Sequence, residues 1–358
     1  MSELRVAGGH VLGPDGSVEA ADVVVDSEAG EILAVGPDLG GGDEMLDASG
    51  GLVVPGLVNA HTHVAMTLLR GYADDKPLEA WLQEDIWPVE AELEAADVRA
   101  GTELGVLEMI KSGTTAFVDM YFFEDEVAGV VEESGVRAML GYGMITAGKE
   151  DESAKEAELE QAVDFATRHD GGADGRLRTA VMPHSLYTVE AAYLEAARDE
   201  ARAAGLPLHF HAAETATEVK DVRELHGDRV IEAADAYDLL GPDVFVAHGV
   251  HVTDEEIDRL ADTGTGVIHC PASNMKLASG MAPVQAMLDA GVSVGLGTDG
   301  PASNNDLDLF DEVRDAAMVG KLAADDAAAV DAAAAVGLAT QGSADAIGLD
   351  AGRIEPGA

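Results

Sequence analysis

The sequence contains a single cysteine, Cys270, and only a few lysines. One cysteine excludes a disulfide framework and a cysteine-rich metal site. The chain has no apolar run of about 18 residues, the length expected of a transmembrane helix, and its first ten residues do not resemble a signal peptide. These absences predict a soluble, cytoplasmic protein.

Basic residues are scarce relative to acidic ones. There are 21 Lys and Arg against 68 Asp and Glu, which gives a formal net charge of −47. Such a chain repels nucleic acids and anionic membrane surfaces, so neither is expected as a partner. The acidic residues recur throughout, as in 90–97 and 253–262, which is typical of solvated helix faces. The excess resembles the proteins of halophiles, in which about 1 M salt shortens the Debye length to roughly 3 Å.

The length of the chain and its apolar content allow a sizeable core. With 358 residues, of which 47% are apolar, we expect two domains or one large domain with a satellite. Residues 3–54 show short apolar stretches separated by Gly and Asp turns, the pattern of a β-meander. The pattern changes from residue 52 onward, where longer amphipathic segments begin.

Eight short apolar runs alternate there with segments of helical period. Apolar strands that alternate with helices predict a parallel sheet, and eight units fit a (β/α)₈ barrel of about 250 residues. A doubly wound open sheet is the alternative, but no Gly-rich phosphate loop follows the first strand. The apolar runs are 52–61, 114–120, 136–142, 177–184, 206–212, 244–248, 265–270 and 292–299. The expected helices are 97–111, 154–169, 190–204, 253–262 and 283–290, followed by an Ala-rich helical tail over 321–347.

Polar side chains end three of these runs, at the edge where barrels place their active sites. His61 and His63 end the first run, and the i, i+2 spacing of an extended segment directs both imidazoles to one side. His211 ends the fifth run and Asp299 ends the eighth. Three imidazoles and one carboxylate form an N₃O ligand set for Zn²⁺ or Fe²⁺. His209, which lies deeper in the fifth run, is interpreted as core packing.

Further titratable residues accompany this set. Glu214 lies shortly after His211, where a carboxylate can act as a general acid/base, although a solvated turn residue is the alternative. His248 ends the sixth run, where it can polarise the water or stabilise developing charge. His184, and not a lysine, ends the fourth run. A lysine there could be carboxylated to bridge two metals, so its absence favours a mononuclear site.

Seven segments carry motifs that are more specific than a His-x-His pair. They are PGLVNAHTHVAMTLLRGYADD (55–75), WPVEAEL (87–93), MPHSLYT (182–188), HFHAAET (209–215), AHGVH (247–251), PASNMKLASG (271–280) and GLGTDGPASNNDLDLF (295–310). Together they resemble the amidohydrolase superfamily and, more narrowly, the 5′-methylthioadenosine/S-adenosylhomocysteine deaminases. The resemblance covers essentially the whole chain in order.

The resemblance implies a TIM-type (β/α)₈ metal-dependent hydrolase that converts the 6-amino group of an adenosine-type nucleoside to the inosine-type product plus ammonia. It implies one Zn²⁺ per chain, with Fe²⁺ or another divalent metal as the alternative. Glu214 would relay a proton between the water and purine N1, and His248 and Asp299 would orient and deprotonate the water. The implied metal ligands are His61, His63, His211 and Asp299.

The resemblance also implies residues that bind the nucleoside. Glu90 would bind the ribose hydroxyls, a role that suits an acceptor-only carboxylate. His184 would contact the nucleoside, and Ser303 would lie near the base or sugar. Tyr142 stands where family members often have an arginine, and the next segment offers Lys149. The sequence does not rank 5′-methylthioadenosine, S-adenosylhomocysteine, adenosine and 5′-deoxyadenosine as substrates.

Three segments of the chain are expected to fold differently. Residues 1–54 form the N-terminal part of a small β-sandwich domain, residues 55–347 form the barrel, and residues 348–358 return to the β domain. By resemblance, that domain needs further strands to close. We therefore expect a folded barrel that carries a loosely held N-terminal sheet with an open edge.

Two other functions remain open at this point. A related aminohydrolase or chlorohydrolase that acts on a guanine, cytosine or triazine ring would share the metal and Glu214, but Glu90 favours a substrate that carries ribose. A catalytically silent, truncated chain is the other alternative, and the intact ligand set argues against it. The expected partner is a small-molecule nucleoside, and the sequence leaves open whether the chain forms a homo-oligomer.

Overall fold

The N-terminal residues fold into a small mixed sheet. Its strands are β1 (Glu3–Leu12), β2 (Val18–Asp26), β3 (Glu31–Gly36), β4 (Glu44–Asp47) and β5 (Leu52–Val53). In the computed structural model, which describes residues 2–358, β1, β2 and β3 pair antiparallel as a meander. β4 and β5 instead run parallel to β1. The meander interpretation missed this pairing, because parallel neighbours are joined by long connections that local turn signals do not reveal.

The last residues of the chain lie against this sheet. The Gly357 amide donates to the Ile32 carbonyl at 2.8 Å, and the Ile32 amide donates to the Ala358 carbonyl at 2.9 Å. Ile354 is buried with Val11 and Val23 in the apolar core of the sheet. We propose on this basis to divide the chain at residues 54 and 347, with the final segment returning to the small sheet.

Nine further strands run parallel and form two sheets. The strands are β6 (Leu57–Thr62), β7 (Thr114–Tyr121), β8 (Arg137–Met144), β9 (Leu177–Thr179), β10 (Met182–Pro183), β11 (Leu208–Ala212), β12 (Val244–His248), β13 (Gly266–His269) and β14 (Val294–Leu296). One sheet has the order β10-β8-β7-β6, with β9 also paired to β8, and the other has the order β11-β12-β13-β14. β9 and β10 together occupy the place of the fourth predicted strand.

Two lines of hydrogen bonds join these sheets into a barrel. At one, the His211 amide donates to the His184 carbonyl at 2.9 Å. At the other, the Asp299 amide donates to the His61 carbonyl at 3.0 Å. The side chain of Asn59 also accepts the Thr298 amide there, at 3.0 Å. Both lines bring predicted site residues together, and the parallel strands with their two joining lines agree with the predicted (β/α)₈ barrel.

Helices cover the outside of the barrel. The five expected helices begin and end within two residues of their predicted limits, which is the range by which helix boundaries ordinarily vary. The Ala-rich tail is not continuous. It breaks after Ala324, where Asp325 adopts a left-handed conformation with φ 49° and ends the helix. Asp331 then accepts the Ala334 amide at 2.9 Å and caps a new helix. The longer helices are α3 (Ala95–Ser112), α4 (Glu124–Ser134), α5 (Glu152–His169), α7 (Ala191–Ala204), α8 (Ala216–His226), α10 (Asp254–Thr263) and α13 (Leu309–Ala324). The shorter ones are α1 (Leu78–Trp81), α2 (Trp87–Glu90), α6 (Gly172–Gly175), α9 (Val230–Ala236), α11 (Pro271–Lys276), α12 (Val284–Ala290), α14 (Ala332–Gly337) and α15 (Ser343–Ala346).

The interior of the barrel is filled by side chains. Val58, Val118, Phe245 and Ile268 form a buried cluster together with Ile347, which directly follows the last helix. This packing leaves the carboxyl ends of the strands as the place for polar chemistry. Across residues 2–358, no helix has the length and apolar character needed to span a membrane.

Candidate active site

Three histidines converge at the carboxyl ends of β6 and β11. The candidate ligand atoms of His61, His63 and His211 lie within 4.8 Å of one another. The Nε2 atoms of His63 and His211 are 3.4 Å apart. Asp299 Oδ1 lies 3.2 Å from His63 Nε2 and 3.7 Å from His61 Nε2. The four residues that the sequence marked as ligands are therefore neighbours, and we refer to them as the ligand cluster.

Backbone carbonyls orient two of these imidazoles. His63 Nδ1 is 2.5 Å from the Met120 carbonyl oxygen, and His211 Nδ1 is 2.8 Å from the His184 carbonyl oxygen. A carbonyl oxygen only accepts, so both Nδ1 atoms carry a hydrogen. Each ring thus directs Nε2 towards the middle of the ligand cluster.

The third imidazole is oriented by another histidine. His61 Nδ1 lies 2.9 Å from His209 Nε2, and His209 Nδ1 lies 2.9 Å from the Phe245 carbonyl oxygen. The interpretation of His209 as core packing was therefore incomplete, because its ring contacts a cluster member. Sequence spacing shows which residues lie on the same face of a strand, but it does not show which residue each side chain contacts across the barrel.

The donor chemistry of the ligand cluster fits a divalent metal. His61 Nε2 is buried and, among residues 2–358, has no hydrogen-bond partner. A buried polar atom without a partner costs free energy unless something binds it. Three imidazole nitrogens and a carboxylate are a donor set that Zn²⁺ takes up readily.

The protonation of the cluster is shaped by burial and by Asp299. Burial lowers the pKa of His61 and His211 well below the usual range, so both are neutral, as metal ligands must be. Burial acts on His63 in the same direction, but the hydrogen bond and charge of Asp299 outweigh it and raise the His63 pKa to about 9. A cation bound between these residues would compete with that proton.

Neighbouring donors hold the Asp299 carboxylate. The hydroxyls of Ser273 and Ser303 donate to Oδ2 at 2.6 Å and 2.8 Å, and the Gly300 amide donates to Oδ1 at 2.8 Å. Ser303, expected near the base or sugar, does line the cavity. Its hydroxyl, however, is engaged with Asp299, a contact that the sequence did not predict.

The backbone is strained where the strands turn into the site. Ala213, His248 and Asp299 have φ values of 55°, 76° and 60°. This left-handed region costs an L-residue roughly 1–2 kcal/mol. A side chain at Gly297 would place its Cβ 2.8 Å from the Cβ of His61, so only glycine lets the chain after β14 pass this closely. Three of the non-glycine residues with positive φ thus lie where the chain turns into the site.

Glu214 and His248 stand next to each other beside the cluster. Glu214 Oε2 lies 3.6 Å from His248 Nε2, and the Ser279 hydroxyl donates to Glu214 Oε1 at 3.3 Å. His248 Nδ1 lies 3.0 Å from Asn274 Oδ1. Burial raises the pKa of Glu214, although His248 opposes the shift. A carboxyl group with a raised pKa is suited to exchange protons close to neutral pH.

Glu218 secures the loop that carries Glu214. Its carboxylate accepts the backbone amide of Ala213 at 3.1 Å and that of Glu214 at 2.6 Å. Burial, followed by the charge of Glu214, raises the Glu218 pKa to about 8. The sequence analysis missed this residue. The Thr215-x-x-Glu218 spacing is a capping-box signal that could have found it, and Thr215 Oγ1 does accept the Glu218 amide at 3.0 Å.

A cavity opens above the ligand cluster. Glu90 lies on its wall and accepts a hydrogen bond from the Tyr121 hydroxyl at 2.7 Å. His184 lines the cavity with its ring centroid 4.6 Å from that of His211. Glu90, His184 and Ser303 therefore share one cavity with Glu214, His248 and Asp299.

A second cavity adjoins the first. The two share the walls formed by Trp87, Glu90, Phe122 and Ile145. Tyr142 and Lys149 line the second cavity only, and the Lys149 ammonium lies 3.1 Å from the Glu158 carboxylate. Tyr142, at the position where family members often have an arginine, and Lys149 thus lie beyond Glu90.

A closed (β/α)₈ barrel with a three-histidine cluster at its carboxyl end is typical of metal-dependent hydrolases. The sequence model of the amidohydrolase family matches residues 52–358. The chain belongs to this family, and the predicted resemblance is confirmed.

Two named relatives and one solved structure show which kinds of enzyme this chain is similar to. A 5-methylthioadenosine/S-adenosylhomocysteine deaminase of Haloarcula marismortui is 62% identical over 359 residues, which cover 100% of this chain and 83% of the relative. A 5′-deoxyadenosine deaminase of Methanococcoides burtonii is 44% identical, and the match covers 98% of this chain and 81% of the relative. The crystal structure of an adenosine deaminase from Xanthomonas campestris with bound zinc has a TM-score of 0.92 and 39% identity, and the match covers 99% of this chain and 83% of that one.

Proposed function

We propose that this chain is a metal-dependent deaminase, which hydrolyses the 6-amino group of an adenosine-type nucleoside to the inosine-type product and ammonia. The observation that carries the proposal is that one cavity contains members of the ligand cluster, a buried Glu214 with a raised pKa, and Glu90. The deaminases among its relatives support the same reaction.

The ligand cluster would hold one Zn²⁺ per chain, through Nε2 of His61, His63 and His211 and through the Asp299 carboxylate. The zinc-bound relative supports zinc, and Fe²⁺ suits the same donors. When bound, the ion supplies Lewis acidity that makes water a nucleophile close to neutral pH. Ser273 and Ser303 keep the carboxylate of Asp299 oriented through Oδ2, so that Oδ1 faces His61 and His63.

Glu214 would carry the protons. Its carboxylate accepts a proton from the attacking water and delivers it to N1, which takes up the electrons as oxygen bonds to C6. The second proton of the water passes from the new C6 hydroxyl to the amino group, the C6–N bond breaks as the C6=O bond forms, and ammonia leaves. His248 faces Glu214 at 3.6 Å and, with Asp299, would orient the water.

Glu90 and His184 would bind the nucleoside. The Tyr121 hydroxyl bonds to Oε1 of Glu90, so Oε2 can accept from the ribose hydroxyls. His184 Nδ1 lies 3.0 Å from the Thr188 hydroxyl, which holds the ring against the cavity. Ser303 also lines this cavity, and its hydroxyl would orient Asp299 there.

The 5′ substituent would enter the second cavity, which begins at Glu90. The aromatic rings of Trp87, Phe122 and Tyr142 line it. Its cation, Lys149, is already paired with Glu158. This lining favours a small apolar substituent, as in 5′-methylthioadenosine or 5′-deoxyadenosine, over the carboxylate-bearing tail of S-adenosylhomocysteine.

Ammonia release from 5′-methylthioadenosine, compared with release from guanine, tests the proposal. The zinc-loaded protein, assayed in high salt, should release ammonia from the nucleoside and form the inosine-type product, whereas guanine should give none. The Glu214→Gln variant, loaded in the same way, is the matched control. Release from guanine but not from the nucleoside would favour a base deaminase, and no release from either would favour the catalytically silent chain.

A further inference from the structure

The three imidazoles of the ligand cluster are not held in the same way. His63 and His211 each face a backbone carbonyl through Nδ1. His61 is the exception, because its Nδ1 faces a second imidazole, that of His209, at 2.9 Å. An imidazole can accept or donate at either nitrogen, so this contact orients His61 only if the state of the His209 ring is itself fixed.

The contact on the far side of His209 fixes that state. Its Nδ1 lies 2.9 Å from the Phe245 carbonyl oxygen, which can only accept. Nδ1 of His209 therefore carries the hydrogen, and in the neutral ring Nε2 becomes the acceptor. His61 Nδ1 must then donate, which leaves the lone pair of His61 on Nε2, the atom that faces the ligand cluster.

Packing keeps this arrangement in place. His209 is fully buried, with 0% of its surface exposed. Its ring stacks on that of Phe245 with a centroid distance of 4.2 Å and an interplanar angle of 15°. A ring turned over by 180° would still stack on Phe245, but it would place carbon atoms where Nδ1 and Nε2 now lie and so lose the contacts with the Phe245 carbonyl and with His61. His209 is thus a rigid acceptor and not a freely rotating one.

We infer that His209 is a positioning residue, which fixes the tautomer and direction of His61 through the hydrogen-bond relay from the Phe245 carbonyl to His209 to His61. The inference rests on the metal site of the proposed function. It adds a role to a residue that is not a ligand itself. Groups that orient a metal-binding histidine in this way typically account for about 10–100-fold in metal affinity.

The test is the Zn²⁺ affinity of two His209 variants, measured by competition with a chromophoric chelator. His209→Phe keeps an aromatic ring for stacking on Phe245 but removes both nitrogens, so affinity should fall about 10–100-fold. His209→Gln can still place an amide oxygen near the position of Nε2, so it should recover part of the loss. Circular dichroism checks that both variants fold, and His209→Gln serves as the working variant if His209→Phe does not.

A matched control comes from His269 at the end of β13. It is also buried, with 1% of its surface exposed, and neither of its ring nitrogens has a hydrogen-bond partner within the described chain. His269→Phe removes a buried imidazole without breaking the relay, so the affinity for Zn²⁺ should stay at the wild-type value. An equal loss in His269→Phe would show that any buried imidazole matters and would overturn the inference.

The tautomer itself can be read by long-range ¹H–¹⁵N correlation of the metal-free protein with labelled histidine. His61 should show its hydrogen on Nδ1 in the wild type and a mixture of tautomers in His209→Phe. Wild-type Zn²⁺ affinity in both His209 variants would overturn the relay while leaving the metal site standing. A wild-type protein that binds no Zn²⁺ would instead overturn the metal assignment.

Discussion

The two sides of the active-site cavity are built differently. The metal side consists of residues at the ends of β6, β11 and β14. Backbone hydrogen bonds between the strands and short polar contacts hold these residues in place. The nucleoside side consists of the short helices α1 and α2 and the segments after β7 and β8, with aromatic rings and a single carboxylate, Glu90. In the proposed function, the chemistry would therefore lie at the strand ends of the barrel, and recognition of the substrate would lie on loops and short helices that can change without disturbing it.

Loss of a ligand on the metal side should have the largest effect. His211→Ala removes an imidazole that faces His63 at 3.4 Å, so the chain should lose its metal and ammonia release together. The fall should exceed the roughly 10²–10⁴-fold that is typical of a missing general acid/base. Elemental analysis after gel filtration measures the metal. Stoichiometric metal in this variant would show that His211 is not a ligand.

Glu214 lies between the two sides, and its substitution should separate metal binding from proton transfer. Glu214→Gln keeps the shape of the side chain but removes the titrating group, so the rate should fall by about 10²–10⁴-fold. The metal content should stay at the wild-type level. If the metal is lost as well, Glu214 is a ligand, and the role given to it here is wrong.

Changes on the nucleoside side should weaken binding and leave the chemistry intact. Glu90→Ala removes a charged hydrogen-bond acceptor worth about 1.5–3 kcal/mol, so kcat/KM for a nucleoside should fall roughly 10- to 150-fold. Any activity on free adenine, which has no ribose, should not change. Tyr121→Phe is the control, since it removes only the hydroxyl that donates to Glu90 and keeps the Glu90 carboxylate. An equal loss on free adenine would place Glu90 in the chemistry.

The smallest effect is expected at the far end of the second cavity. Lys149→Met removes a cation that is already paired with Glu158, and such partly exposed pairs contribute about 0–1 kcal/mol. The ratio of kcat/KM for S-adenosylhomocysteine to that for 5′-methylthioadenosine should therefore change by about fivefold or less. A much larger loss, confined to S-adenosylhomocysteine, would mean that Lys149 binds the carboxylate of the tail.

The sequence was most informative on the metal side. His61, His63, His211 and Asp299 lie at the ends of apolar runs, and closure of a barrel brings such ends together wherever they fall in the chain. The regular alternation of strands and helices was also informative, because each strand–helix unit is a local pattern in the sequence. The roles of these residues, and the domain boundaries at 54 and 347, stay predictions.

The sequence was less informative wherever a contact depends on the partner across the barrel. His209 follows the same periodicity as any core residue, and only the closed barrel brings it to His61. Ser273 and Asn274 lie in a motif that the sequence analysis quoted, yet their contacts with Asp299 and His248 depend on where helix α11 packs in the folded chain. Local patterns predict elements and faces, whereas pairings between distant loops require the folded structure.

A single ion in the ligand cluster is the basis of the mechanism proposed here. The most direct test is to titrate metal-free protein with Zn²⁺ in high salt while ammonia release from 5′-methylthioadenosine is measured. Activity should rise linearly and level off at one equivalent per chain, and Glu214→Gln should bind the same equivalent without gaining comparable activity. Full activity in the metal-free protein, or a plateau that is reached only at two equivalents, would contradict a mononuclear metal-dependent deaminase.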